Sequence, residues 1–422
     1  MGADNILNNI RKPANNFLYN IKSKYILIRI FGNLTKPKML RIIKKNKTIQ
    51  NKLEINSNDY MTYSEILNPV EIEIIPVPNS KEKFINIQIN DYIHVYFDDD
   101  KNNEIKENHL NESDNIKKIT IKIEHQIKSE LFNSIFNGCK AIKSINFKKF
   151  NRYNIKDMNK MFQWCTSLKE INLSKFNTKN VTNMEGMFFF CESLIKLNLS
   201  NFDTSNVINM NEMFCGCSSL KSINLSKFDT RKVTNMNRMF AECKAIKELN
   251  LSNFNTSNVT TMRGMFEECS TLSKLNISSF NTEKVTDMSG MFEYCSLFKT
   301  FNLSNFNTSN VTDMSYMFYQ CSSLKKLDLS HFNTSNLKKM SFMFGYCASL
   351  ITINLTSFNT ENVNVMNGMF MLCVSLTDID ISNFNTKSVY NMNNMFLGCP
   401  KKLESKIKAQ NNGITDEAFK LS

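Results

Sequence analysis

Leu168-Lys-Glu-Ile171-Asn172-Leu173-Ser174-Lys-Phe176-Asn177-Thr178-Lys-Asn-Val181-Thr182-Asn-Met184-Glu-Gly-Met187-Phe188-Phe-Phe-Cys191 is one unit of a beat that runs through most of this chain. Cys139, Cys165, Cys191, Cys217, Cys243, Cys269, Cys295, Cys321, Cys347, Cys373 and Cys399 follow one another at steps of 26 residues. The pairs Met184/Met187, Met210/Met213 and Met236/Met239 keep the same interval, as do Phe176, Phe202, Phe228 and Phe254. A strict period of this size marks stacked supersecondary units, each burying its apolar face against its neighbours.

Within the unit the hydrophobic period changes. Leu168-x-x-Ile171-x-Leu173 alternates and suits a short strand. At 100° per residue, Met184, Met187, Phe188 and Cys191 fall on one face of a helix. Thr182 then reads as an N-cap, repeated at Thr234, Thr260, Thr286 and Thr312, with Asp287 and Asp313 suited to the first turn. The expectation is an α/β repeat solenoid of strand, turn and short helix. Ten such units stacked at ~4.8 Å give a rod on the order of 50 Å long.

The flanks read differently. A basic head, residues 1–55, suggests short helices through Tyr25–Leu34 and Met39–Leu53, with Pro37 opening the second. Residues 56–128 switch to period two at Ile85/Ile87/Ile89, Ile93/Val95/Phe97 and Ile119/Ile121/Ile123, predicting antiparallel strands. The array occupies 129–400, and the polar tail 401–422 caps it or frays. Asp98-Asp99-Asp100-Lys101-Asn102-Asn103-Glu104 has the look of a calcium loop. It lacks the glycine at the sixth position and has His109 where a glutamate closes such loops, so a solvated loop is expected.

The net charge of +13 is uneven: residues 1–52 carry +11, residues 53–130 carry −8, and the remainder +10. Lys, Asn and Ile are enriched throughout, so the basic head alone gives no clear sign of nucleic-acid binding. No apolar run approaches the ~18 residues of a membrane span. The start MGADNILNNIRKPANNFLYN has no secretory pattern, and Ile6 stands where myristoylation at Gly2 favours Ser or Thr.

The consensus C-x-S-L-x-x-L-N-L-S-x-F-N-T-S-N-V-T-x-M-x-x-M-F-x-x-C closely resembles the 26-residue bacterial-surface-protein repeat of the BspA-like leucine-rich-repeat family, nearly residue for residue over 299–346. The resemblance implies a leucine-rich-like solenoid and a non-catalytic adhesion or interaction module. No export signal or wall anchor accompanies it, which favours a cytoplasmic location over display at the cell surface. In the head, Ile28-Arg-Ile-Phe31-Gly-Asn-Leu34 followed by Leu40, Ile43 and Lys44 looks somewhat like an F-box, without the Trp that often closes one. That likeness implies a substrate adaptor of a ubiquitin ligase.

The cysteine ladder fits neither a metal site, which needs clustered ligands, nor an even set of disulfides. Buried reduced thiols acting as small hydrophobes explain its phase with Met and Phe, and suit a reducing compartment. Asn177, Asn255, Asn281 and Asn307, with Asp203 and Asp229 in the same row, suit Asx turns. The N-L-S sequons at Asn172, Asn198, Asn224, Asn250 and Asn302 fall inside the strand, where glycans ~5 Å apart would collide. His94, His109, His125 and His331 are scattered, and His331 shares a variable row with Lys175, Asn201 and Ser279. No catalytic constellation, cofactor motif or metal-ligand spacing emerges.

Specificity is therefore sought where the repeat varies. The rows of Glu185, Gly186, Phe189 and Phe190 lie opposite the core stripe and vary freely. In four successive units they hold Tyr294, Tyr316, Tyr319, Phe342, Tyr346, Met371 and Leu372, with a smaller cluster at Trp164, Phe189 and Phe190. Exposed aromatics gathered in one patch predict a protein-binding surface.

Overall fold

The protein is described by a computed structural model covering residues 21–420, apart from 22, 33, 57–58, 61–68, 112–114, 125–128, 151 and 153. Gly2, Ile6 and His125 lie outside the described residues. In the head, α1 (Lys24–Phe31), α2 (Lys36–Ile43, with Pro37 in its first turn) and α3 (Lys47–Lys52) close on their own core of Leu27, Phe31, Leu40, Ile43 and Ile49. No helix among the described residues is long and apolar enough to cross a membrane.

β1 (Val70–Pro76), β2 (Ile93–Phe97), β3 (Glu104–Ile105), β4 (Ile119–Ile123), β5 (Ile142–Lys149) and β6 (Glu170–Asn172) form one sheet in the order β3-β2-β4-β1-β5-β6. β1 pairs antiparallel with β4 and β5, whereas β5 and β6, the first strands of the array, pair in parallel. The sheet thus changes from antiparallel to parallel inside itself, and β1 covers the edge the first coil would otherwise expose. One hydrophobic core runs on from Val70 in this sheet to Ala418 in the tail. Two expectations need correction. Val-Glu-Ile-Glu-Ile at 70–74 is a strand that the period-two reading passed over, and Ile85, Ile87 and Ile89 are not a strand. The backbone there is shared out, with the Phe84 N–H donating to Asn108 and the Asn86 N–H to Ile135, although Ile85 is buried. Asp98 turns the β2–β4 side by accepting from the backbone N–H groups of Lys117 and Lys118.

The array is a solenoid, but among the described residues its coils contain no α-helix, and a short 3-10 turn at Ser129–Phe132 opens it. Where a helix was expected, Met184–Met187 and Phe188–Cys191 are two consecutive four-residue turns, closed by Met187 N–H to Met184 C=O (3.2 Å) and Cys191 N–H to Phe188 C=O (3.1 Å). The N–H groups between them point along the stack: Met184, Gly186, Phe188 and Phe190 donate to Asn209, Asn211, Met213 and Cys215 of the next coil. Four apolar residues at i, i+3, i+4 and i+7 lie on one helical face, and they are also the first and last residues of two successive turns. Met184, Met187, Phe188 and Cys191 are all fully buried, so the core prediction holds while the element does not. Beyond the head, the tail supplies α4 (Lys401–Gln410).

Each turn carries its third residue in the left-handed region, Gly186 at φ 55° and Phe190 at φ 54°, and the same two positions recur from Ser134 and Gly138 to Asn394 and Gly398. Glycine takes this conformation freely, whereas other residues meet a steric cost of ~1–2 kcal/mol.

Threonine 182 is not an N-cap. Its hydroxyl donates to the Lys156 carbonyl one coil back, as Thr260 does to Thr234 and Thr286 to Thr260. At the adjoining row, isolated parallel bridges run unbroken from Asp157 through Asn183, Asn209 and onward to Asn391. The Leu-x-x-Ile-x-Leu strands are less continuous. Beyond β5 and β6, among the described residues, they pair as β7 (Glu248–Asn250) with β8 (Lys274–Asn276) and β9 (Lys326–Asp328) with β10 (Thr352–Asn354), with one further isolated bridge from Thr352 to Asp378.

Buried ladders tie coil to coil. The Thr178 hydroxyl donates to the Asp203 carbonyl (2.9 Å) and accepts from the Asp203 N–H (2.8 Å), a pattern continued to Thr360 and Asn385. These hydroxyls have essentially no exposure, and a buried hydroxyl needs both partners. Phenylalanine rings stack from Phe136 to Phe396 at 5.4–6.0 Å. Phe419 of the tail adds one more ring at 5.5 Å, and the Phe396 N–H donates to Ala418, so the tail stands in for the next coil. The ladder cysteines are unpaired, and from Cys165 onward the thiols donate to a carbonyl of the preceding coil, as Cys191 does to Phe162 at 3.1 Å. Burial pushes the Cys165, Cys269 and Cys347 thiols up to about 12.

The Asx turns form as expected, with Asn177 Oδ1 accepting from Lys179 N–H and Asp229 Oδ1 from Arg231 N–H. Asn172, first of a sequon, accepts from Ser174 N–H and donates to Asn146, a structural ladder. The row holding His331 is also structural. Asn201, Ser279 and His331 each bond the carbonyl of a turn one coil back.

Two measurements check this architecture. At pH 8 the folded protein should react negligibly with a thiol-titrating disulfide reagent, and after denaturation without reductant it should yield close to twelve thiols. Far fewer would mean bridged cysteines. Glu212 sits at φ 55° with burial raising its carboxyl, so Glu212→Gly should stabilise the fold by about 1 kcal/mol. Gly368→Ala should do the opposite, since its Cβ would fall 2.2 Å from a Phe342 ring carbon.

Candidate functional site: an aromatic and acidic face

The two-turn segment presents the centres of its turns outward. The rows of Gly186, Phe189 and Phe190 therefore face away from the core, as expected, although through turns and not a helix. Along these rows the side chains pass from aromatic (Trp164, Phe189, Phe190), through charged (Glu212, Arg238, Glu242, Glu267, Glu268, Glu293), to aromatic again.

Five of the seven predicted residues come together. Tyr319 is the hub, in edge contact with Tyr294 (5.5 Å), Tyr316 (5.5 Å), Phe342 (6.1 Å) and Tyr346 (5.3 Å). Tyr316 stacks on Phe342 at 5.2 Å and keeps 38% of its surface exposed, while the others are half-buried. Met371 and Leu372 are half-buried one coil on, and Leu372 lies over Gly398, away from the rings. In the smaller cluster Trp164 stacks on Phe190 at 4.5 Å, meets Phe189 at 5.4 Å and is 39% exposed.

Tyr294, Tyr316, Phe342, Tyr346, Leu372, Trp164 and Phe190 all occupy left-handed turn positions. Their rings use the space above neighbouring glycines: Phe342 lies over Gly368, Tyr319 over Gly345 and Phe190 over Gly216. Ring contacts return ~0.5–1.5 kcal/mol each, which offsets a left-handed penalty of similar size without exceeding it clearly.

The acidic stripe between the clusters escaped the sequence reading, because its members are far apart in the chain. Arg238 spans the coil boundary to pair with Glu267 and also approaches Glu242 (3.5 Å), while Lys244 pairs with Glu268 (2.8 Å). Glu293 has no ion pair or side-chain hydrogen bond among the described residues. Its carboxylate lies over Gly290, where an added Cβ would stand 3.0 Å from Oε2. Burial, then repulsion from Glu267 and Glu268, push its carboxyl up to about 7, with Arg238 and Arg263 offsetting this in part. Among the described residues no cluster of three His, Cys, Asp or Glu has metal-holding geometry.

A carboxyl raised on folding stabilises the protein while protonated in the folded state, and that contribution is lost as pH rises from the unfolded value near 4.5 through about 7. Glu293→Gln should therefore raise the thermal midpoint relative to wild type at pH 8 and leave it unchanged at pH 4. Equal shifts at both pH values would show that Glu293 titrates normally.

Residues 130–249, 191–300, 234–350 and 323–416 match a family described as "Mycoplasma protein of unknown function, DUF285". No curated protein matches the chain. Among solved structures it is similar to one described as "Crystal structure of TLR13-ssRNA13 complex", at 19% identity, over 63% of this chain and 40% of that chain, with a TM-score of 0.22. The chain thus spans less than half the length of that protein. The family matches overlap into one continuous stretch, 130–416, well over half of the sequence, and the chain belongs to the DUF285 family of Mycoplasma proteins of unknown function.

Proposed function

We propose that the chain is a non-catalytic interaction scaffold, and that a protein partner docks on the aromatic face centred on Tyr316 and Tyr319. One observation carries this reading. Bulky aromatic residues hold left-handed turn positions that glycine fills in several other coils and charged or polar residues fill in the rest, and Tyr316 does so with more than a third of its surface exposed. Conformational cost kept at an exposed site points to use of the side chain beyond folding. The resemblance to the BspA-like surface repeat, whose members serve as interaction modules, supports the same class. The unpaired thiols suit a reducing compartment, which favours an intracellular partner over adhesion.

A second reading rests on the head. There α1 leaves Tyr25, Ile26 and Ile28 exposed while burying Leu27 and Phe31, an apolar face that fits the F-box-like adaptor role.

Affinity capture from native cells separates the two. Tyr316→Gly/Tyr346→Gly removes both rings at positions where glycine is comfortable, so the thermal midpoint should stay near wild type while the captured partner is lost. Retention of the partner would sink the aromatic-face reading. A partner kept by this variant and lost on deleting residues 20–55 would assign docking to the head.

A further inference from the structure

The acidic stripe contains an internal comparison. In one pair of coils Arg238 reaches across Gly264, its Cγ 3.1 Å from where a Cβ would sit, to meet the Glu267 carboxylate above that glycine. One coil later everything except the arginine is repeated. Glu293 occupies the row of Glu267, Gly290 the row of Gly264, and the Glu293 carboxylate again lies above the glycine. The row that supplied Arg238 now supplies Gly264, which has no side chain to offer. What remains above Gly290 is a half-buried carboxylate, close enough to Glu267 one coil back, to Arg238 two coils back and to Tyr316 one coil on, in the row of Gly290, for charge to be felt between them.

Resting on the aromatic-face reading, we infer that this slot receives an arginine side chain of the partner, its guanidinium pairing with Glu293 and lying against the ring of Tyr316. The chemistry is specific to a planar cation. A guanidinium offers a two-pronged donor set to a carboxylate and stacks on an aromatic face, and an ammonium does only the first in part. Charge complementarity agrees. In a chain of net charge +13, the outward rows here gather Glu242, Glu267, Glu268 and Glu293 against Arg238, Lys244 and Arg263. Glu242, Glu267 and Glu268 already have cationic neighbours in their own chain. Partner arginine would give Glu293 what Arg238 gives Glu267, and desolvating it between a ring and a carboxylate makes it a candidate hot spot. Protonation of Glu293, raised by burial and by Glu267 and Glu268, opposes the pairing, so binding weakens as pH falls from 8 to 6, with Arg238 charged and Tyr294, Tyr316 and Tyr319 neutral throughout.

The test uses the full-length protein and an acetylated, amidated Gly-Arg-Gly tripeptide, with lysine and citrulline versions as controls, titrated by NMR or calorimetry at pH 8 and low salt. The arginine peptide should bind most tightly, lysine more weakly and citrulline undetectably. Glu293→Gln and Tyr316→Gly should each weaken the arginine peptide by about 10-fold or more, the equivalent of one charged hydrogen bond. Gly264→Arg supplies the guanidinium from within, at a position where Arg238 shows the backbone accepts one, and should abolish peptide binding. Equal binding of citrulline, or an unchanged affinity in Glu293→Gln, overturns the inference. If that happens while Tyr316→Gly/Tyr346→Gly still loses the native partner, the aromatic docking surface stands without its arginine. If that double variant keeps the partner, the docking surface itself is wrong.

Discussion

Everything in the array hangs on where four N–H groups per coil are aimed. In the segment Met184–Cys191, alternate amides close turns within the coil and the others donate to the coil that follows. That division is possible only if the third residue of each turn is left-handed, and it fixes the register, since each donor meets an acceptor 25 residues on. The threonine hydroxyls, the thiols and the stacked phenylalanines then fall into rows because the backbone has placed them there. A buried backbone amide without a partner would cost a few kcal/mol, so the alternation admits little drift from one coil to the next.

The period, the core rows and the Asx turns were legible because they depend on spacing alone. The helix was misread for a physical reason. Met184, Met187, Phe188 and Cys191 satisfy a helical face and a double turn equally well, and hydrophobic spacing cannot tell them apart. Glycine could have. Gly186, Gly264, Gly290 and Gly368 share one row, and Gly138, Gly216 and Gly398 another, in what would be the middle of every helix, where glycine costs ~1 kcal/mol against alanine. Val70–Pro76 was equally legible and was passed over, while Ile85–Ile89 shows that alternation records burial more faithfully than it records strand pairing.

The aromatic cluster could be found from sequence because unit-to-unit comparison puts Tyr294 and Tyr346 in one row and Tyr319 in the row beside it. The stripe beside it could not. Arg238 and Glu267 meet across a coil boundary, and only the stack shows that Glu293 lacks the equivalent neighbour. The face combines residues whose conformation is costly with a carboxylate that has no ion pair among the described residues, and both fall on the outward rows of the array.

Because every coil bonds its neighbour through the same donors, the array works as a ruler with fixed graduations. The cluster around Phe190 and the cluster beginning at Tyr294 stand four coils apart, about 19 Å at ~4.8 Å per coil. Duplicating or losing one whole unit would move them by one graduation without disturbing any turn, whereas inserting a single residue would put every later donor out of step. The distance between two binding features can therefore change only in steps, and a partner that touches both would sense each step as a change in reach.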